Sequence, residues 1–425
     1  MAGELGEQGH LSVANMWRFA GLLVVFFLRA LPAAQAEHAA MLFPVEGKPA
    51  IAQLQACTPQ GDWKFDVDGV PTTLQTADFI RWGNPSSSLS GPVLFLTDGS
   101  ILIADESFAR LQIEKDEVTF DSKSLGESIK IPLAQVEGIV LQPEANAQQR
   151  DLWMNQIRDQ QRGRDLILMQ NEDRREGTLS KLGELELQLQ TAAGETLRIS
   201  RKNIKAMAFQ PALLERPQPP ARFLLIQLAD GSSLRAVSWK GEAGQVEVVT
   251  SAHRTFAIDL EKSADRPNLV GLLPIGFDWL FISDMEAAGY QHQPYLSVEW
   301  PYYRNRNVLG ERIQTDGKLY EKGIGMHPES VLTYRLNQPF VRLDGLAGID
   351  DSSRERGSVI FQVEVDRGDA KWHTAFTSHL LRGGQQATPF AIDLKGVQAI
   401  RLKVLHAVEF DTLDRANWID VRLIR

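Results

Sequence analysis

Six side chains between residues 300 and 327 combine flat apolar faces with planar hydrogen-bonding groups: Trp300, Tyr302, Tyr303, Arg304, Arg306 and His327. Such a set suits a polyhydroxylated ring. An aromatic face covers the ring's C–H side, while guanidinium, phenol and imidazole groups meet hydroxyls that each cost about 1–3 kcal/mol when buried unpaired. Each residue also has a structural alternative. Aromatics in a small β-domain commonly serve as core or edge packing, and a histidine in a glycine-rich turn commonly satisfies its neighbours. Asp350, Asp351, Asp411 and Asp414 form the acidic cluster with a metal rationale, because calcium takes six to eight oxygens from carboxylates and main-chain carbonyls. Their spacing is not that of an EF-hand loop. Acidic turn residues also cap strands and face water. A calcium ion here would shape loops, and no cofactor is required by the chemistry.

Several function classes are excluded or unsupported. No G-x-S-x-G elbow, H-E-x-x-H pair, phosphate-cradling Walker sequence or dinucleotide G-x-G-x-x-G occurs. A glycosidase needs only two carboxylates at the right separation, which sequence cannot measure, so it stays open as a third reading. The balance of 45 basic and 54 acidic residues, net charge -9, offers no diffuse cationic field to a nucleic acid backbone. A single cysteine, Cys57, permits no intrachain disulfide and no thiolate metal site.

At 425 residues, 43% of them apolar, the chain is expected to divide into two to four domains, and its segments differ in character. Residues 1–36 read as a signal peptide: an apolar run from Phe19 to Leu31 follows Arg18 and leads to Ala34-Gln35-Ala36. The polar stretch before Met16 allows that residue as the true start. Leu54-Gln55-Ala56-Cys57 has a faint likeness to an acylation site but lies far from the apolar run. No later stretch approaches membrane length, so no transmembrane span is expected after signal cleavage.

Beyond the leader the pattern is mainly β. Val93 to Ala104 holds two apolar runs around Asp98-Gly99, a signal for a tight primed hairpin, and Leu225 to Ala236 repeats it around Asp230-Gly231. Between them, Leu166 to Leu179 reads as a copy with a longer turn. The unit ends agree too, Val136 to Pro143 with Ile204 to Pro211. These likenesses predict three related antiparallel β units, at 91–145, 146–215 and 216–277, with the faces of the Asp-Gly hairpins exposed. The second includes a short helix carrying Leu152, Trp153 and Ile157. Residues 37–90 form a lead segment with little assignable structure. A change of composition near residue 278, after which all six tyrosines fall, starts the last unit, 278–425.

That unit shows short alternating strands such as Val359 to Val365 and Trp418 to Ile424, the pattern of a β-sandwich or jelly roll. Its ordered motifs are Ile282-Ser283-Asp284, Lys322-Gly323-Ile324-Gly325-Met326-His327-Pro328, Gly348-Ile349-Asp350-Asp351 and Asp414-Arg415-Ala416-Asn417-Trp418-Ile419-Asp420. In this order they resemble the NPCBM/NEW2 domain, a carbohydrate-binding module of glycosidases and secreted bacterial proteins. The resemblance covers about a third of the chain. It implies a galactose-binding-like jelly roll that grips a sugar, with calcium in some relatives. Two departures stand out: Arg415 and Asn417 replace the His and second Asp usual in the terminal motif, and Pro328 replaces a small residue after His327.

The reading that results is a secreted or envelope-associated, periplasmic or extracellular, non-catalytic protein whose jelly roll binds a glycan or polysaccharide. The alternative is a cell-surface scaffold that meets an envelope protein and binds no sugar.

Overall fold

The computed structural model describes residues 39–47, 49–83, 91–105, 110–143, 163–260, 268–294, 299–407 and 413–425. The expected signal peptide, the helix around Trp153 and Asp411 lie outside these. Among the described residues regular structure is strand, punctuated by short 3-10 turns, and no helix is long and apolar enough to cross a membrane.

The unit nearest the C-terminal domain shows how the first two-thirds of the chain is built. Phe223–Leu228, Ser233–Glu242, Gln245–Thr250 and Thr255–Asp259 form an antiparallel meander, and Leu269–Ile275 returns to pair with the opening strand. The segment 165–208 repeats this connectivity, with Ile204–Ala208 returning to Asp165–Met169. So does 93–140, whose second strand is split into Ile101–Ile103 and Gln112–Glu114.

Residues 39–83 correct the sequence reading. Where little structure was assignable they form a fourth copy, with Ala39–Pro44, Ala50–Cys57, Trp63–Val67 and Val70–Leu74 in a meander and Phe79–Gly83 returning to the first strand. Here Pro44 and the loop that follows stand where the other copies carry Asp-Gly or its equivalent, which removes the signal that identified them.

The turns also differ from expectation. Gly99 N donates to Leu96 O at 3.0 Å and Leu96 N to Ser100 O at 2.9 Å, with Gly99 at φ 84°. That is a three-residue loop with its last residue left-handed, not a two-residue primed turn. Gly231 repeats it. The copy at 166–179 has a turn of the same length, not a longer one: Glu172 N donates to Met169 O and Met169 N to Asp173 O, and Glu172 takes the glycine's place at φ 66°. The loss of glycine there hid the equivalence.

The units do not stand as separate barrels. Returning strands pair with each other, Trp82 opposite Leu272 and Ile139 opposite Met207, so the four copies join through their edges. One apolar core runs through them, including Trp63, Phe65, Trp82, Phe120, Ile139, Met207, Ile226 and Leu272. The hairpin turns expected at the surface are partly interior: Asp98 and Ser100 are buried, as is Ser232.

The C-terminal domain is a two-sheet sandwich. One sheet orders Tyr303–Arg304, Gly323–Met326, Ala416–Ile424, Arg342–Ile349 and Thr388–Asp393. The other orders Gly289–His292, Ser330–Arg335, Ala399–His406, Ser358–Asp366 and His373–Thr377. Alternate residues of each sheet face the other, which is why these strands read as period-two patterns. Trp418 anchors this core, with Phe361 and Phe390 edge-on to it at 4.9 and 5.3 Å.

The strand Ala416–Ile424 is buried along its whole length. One face looks into the sandwich; on the other, Ile419 and Ile424 join Trp279, Phe281, Ile313 and Tyr320 against Phe43, Ile80, Leu225 and Leu273 of the four-unit body. An ion pair crosses this seam, Arg81 to Asp420 at 2.7 Å, both side chains under a tenth exposed.

Candidate functional site

At one end of the sandwich the turn after Gly323–Met326 meets the segment that follows Gly289–His292. The Trp300 indole stacks on the His327 imidazole, centroids 4.9 Å apart and planes 9° from parallel, and His292 stands edge-on to His327 at 6.2 Å. His327 is buried and Trp300 half-buried, so the imidazole backs the larger ring.

Hydrogen bonds orient both imidazoles. The Pro328 carbonyl can only accept, so His327 Nδ1 donates to it at 3.0 Å and His292 Nε2 donates to it at 3.1 Å. His292 Nδ1 in turn accepts the Trp300 backbone N–H at 3.1 Å. Tyr290 closes the ring of contacts: its hydroxyl donates to Trp300 O at 2.7 Å, lies 3.1 Å from Ser330 Oγ, and its ring packs on Tyr302 at 5.0 Å. Burial pushes the Tyr290 phenol up, with Ser330 opposing, so it stays a donor.

Of the six residues singled out for sugar contact, the structure gathers Trp300, Tyr302 and His327 at this end. Tyr303 and Arg304 lie on a short strand paired with Gly325 and Ile324. Tyr303 is exposed, while Arg304 Nε donates to Ser283 O at 2.5 Å and so serves the loop after Phe281. Arg306 points elsewhere, into the cleft beside the four-unit body. Tyr290, His292 and Ser330 were missed. The crowding of tyrosines after residue 289 was a signal for the first; nothing in the sequence ties His292 to Trp300 across eight residues.

Of the four carboxylates, Asp350, Asp351 and Asp414 are each taken up by protein donors, and Asp411 lies outside the described residues. Asp350 Oδ1 accepts from Asn307 Nδ2, Ser352 N and Ser352 Oγ at 3.0, 3.1 and 2.5 Å, and Oδ2 from Asn417 Nδ2 and Gln314 N at 2.8 and 3.2 Å. These are five donors, the opposite of the oxygen shell a hard cation needs. Asp351 accepts the Asp316 and Gly317 amides at 2.8 Å each, holding the hairpin Ile313–Tyr320. Asp414 Oδ1 accepts Ser358 N at 2.6 Å. Among the described residues no group of three or more His, Cys, Asp or Glu is placed to hold a metal. Asn417, noted as a departure from the terminal motif, supplies an amide donor to Asp350.

With fold and geometry in place, comparison with known proteins is informative for the sandwich. Residues 280–424 match the NPCBM/NEW2 domain family. The match covers about a third of the chain and is confined to the sandwich. Alpha-1,3-galactosidase B of Akkermansia muciniphila is 30% identical over 121 residues, 28% of this chain and 14% of that enzyme. A solved module, CBM51 of Clostridium perfringens GH95 in complex with methyl-galactose, is 20% identical, with a TM-score of 0.30, over 34% of this chain and 99% of its own. CBM51-2 with GlcNAc and the INT domains of Clostridium perfringens ZmpB is 19% identical, TM-score 0.31, over 46% of this chain and 42% of its own. The chain thus spans a small fraction of the curated galactosidase it matches.

Proposed function

We propose that this chain is an exported, non-catalytic glycan-binding protein whose sandwich takes a sugar at the Trp300–His327 end. The observation that carries the reading is the parallel stack of a half-buried indole on a buried imidazole, which fixes an aromatic platform before any ligand arrives. A pyranose would lay its C–H face on the exposed part of Trp300 and direct hydroxyls to the Tyr302 and backbone groups beside it. Binding through one platform is shallow and weak, on the order of millimolar to micromolar. Export rests on the apolar leader 19–31 and its Ala34-Gln35-Ala36 site, and the destination would be the periplasm, envelope or medium. The four-unit body would then carry the module and face an envelope partner.

The test is calorimetric titration of the full chain with galactose, N-acetylgalactosamine and N-acetylglucosamine. Binding to one of them that falls at least tenfold in Trp300→Ala, with the fold intact, supports the reading. A folded protein silent on a broad glycan array transfers the function to the body as a scaffold, and release of reducing sugar would make the protein an enzyme.

A further inference from the structure

A second cleft, of about 420 Å³, opens where the four-unit body meets the sandwich. That volume suits one or two sugar rings. From the body come Phe223 and Arg235; from the sandwich come Arg306, Arg312, Glu321 and Lys322. Four cations and one carboxylate give the named lining a charge of 4 − 1 = +3 on a chain whose net charge is -9. Three of the cations are already engaged: Arg306 Nη1 donates to Asn305 O at 2.8 Å, and the other two hold carboxylates. Arg312 pairs with Glu321, and Lys322 Nζ reaches both oxygens of Asp284 at 2.6 and 2.9 Å.

Arg235 is different. Its guanidinium lies over the Phe223 ring at 5.4 Å and above Gly99, where an added Cβ would sit 2.4 Å from its Cζ. Among the described residues it has no carboxylate partner within ion-pair distance. Ring and glycine hold the fork in place, so a bidentate donor faces the cleft with little entropy left to lose. The same arginines act on Glu321. Burial raises that carboxyl, yet Arg312, Arg306 and Arg235 together outweigh burial and hold it below the usual glutamate range.

We propose that this interdomain cleft binds a saccharide bearing an oxyanion, a carboxylate or a sulfate, with Arg235 meeting the charge and Phe223 flanking the ring. This site is separate from the Trp300 platform and does not rest on it. The Phe223 wall and the size of the cleft argue for a sugar rather than a bare ion.

The experiment titrates the full chain with glucuronate, galacturonate, galactose 6-sulfate, neutral galactose and inorganic sulfate. The expected result is that an anionic sugar binds at least tenfold more tightly than both galactose and inorganic sulfate, and that affinity falls as salt rises. Arg235→Gln should weaken it tenfold or more, while Trp300→Ala leaves it unchanged. Should Arg235→Gln unfold, Arg235→Lys keeps the charge without the fork and should still lose several-fold. The assignment is overturned if neutral and anionic sugars bind alike, if the folded protein binds none of the three anionic sugars, if inorganic sulfate alone binds as well, or if both Arg235 variants bind as the parent does.

Discussion

Ser100 and Ser232 exchange backbone hydrogen bonds between two copies of the same turn: Ser232 Oγ accepts Ile103 N at 2.9 Å and Ser100 Oγ accepts Arg235 N at 3.1 Å. Each serine follows an Asp-Gly, and each amide lies three residues after the other serine. The relation is that of a local two-fold axis between units 93–140 and 223–275. The next ladder step, Ser233 opposite Ile101, joins the units directly. A buried N–H left without a partner costs about 1–3 kcal/mol. Ser100→Ala and Ser232→Ala should each lower the unfolding free energy from urea titration by that order, and the double variant should lose less than the sum if removing one loosens the other. Two neutral substitutions would show that the turns do not weld the units.

The seam between body and sandwich rests on a buried charge pair. Arg81 donates to Asp420 at 2.7 Å and places its guanidinium 4.7 Å from the Phe43 ring and 5.2 Å from Tyr320. Beside it Arg422 contacts Asp344, which also accepts from Arg342. Stripping one partner from such a pair leaves an uncompensated charge and costs about 3–5 kcal/mol, whereas replacing both by apolar groups is often close to neutral. Arg81→Met alone should therefore be severely destabilising, and Arg81→Met with Asp420→Leu should recover most of the loss. Equal stability of the single and double variants in chemical denaturation would contradict this account of the seam.

The Glu321 carboxyl sets an acid limit. Its folded pKa lies below the usual glutamate value, so the stability it contributes is complete above about pH 4.5 and is lost as pH falls through the lower folded value. Glu321→Gln should flatten that part of the stability profile relative to the parent protein, most visibly below pH 4.5. Parallel profiles for the two proteins would mean that other carboxylates carry the acid response.

Much of this architecture was legible in period-two patterns and in the Asp-Gly-Ser string that appears at 98–100 and 230–232. What was hidden had a physical cause. The copy at 39–83 lacks that turn, and the copy at 165–208 places Glu172 at φ 66° where glycine marks the others, so the repeat is carried by strand order rather than by letters. The ordered motifs around His327 and Trp418 located the sandwich, because a core tryptophan and a glycine-rich turn are local features. The composition of the site was not local. Arg306 and Trp300 are six residues apart yet serve different sites, and His292 meets Trp300 with its ring held by the Pro328 carbonyl.

The hydrogen-bond pattern of Asp350 predicts independence from calcium. Its five donors already occupy the carboxylate's lone pairs, and Asn417 contributes one of them where relatives usually carry a second acid. Melting the protein in chelator and in millimolar calcium should give the same midpoint. Asp350→Ala, which strands several buried donors at once, should cost more than about 3 kcal/mol. A calcium-dependent rise in the midpoint would require a cation held by oxygens other than these.

His292 tests whether the aromatic platform is prearranged. Its Nδ1 accepts the Trp300 amide while its Nε2 donates to the carbonyl that also orients His327, so one imidazole ties both stacked rings to the same turn. Phenylalanine keeps the bulk and loses both bonds. Each is worth about 1 kcal/mol, and the indole they position lies half-buried at the surface, so His292→Phe should cost little in melting temperature. It should weaken sugar binding several-fold, because the platform must then be ordered at the moment of binding. Gln can replace one bond of the two, and His292→Gln should fall between parent and phenylalanine variant. Titration of the three proteins with the sugar that binds the parent checks the order; equal affinities would show that the Trp300–His327 stack holds itself.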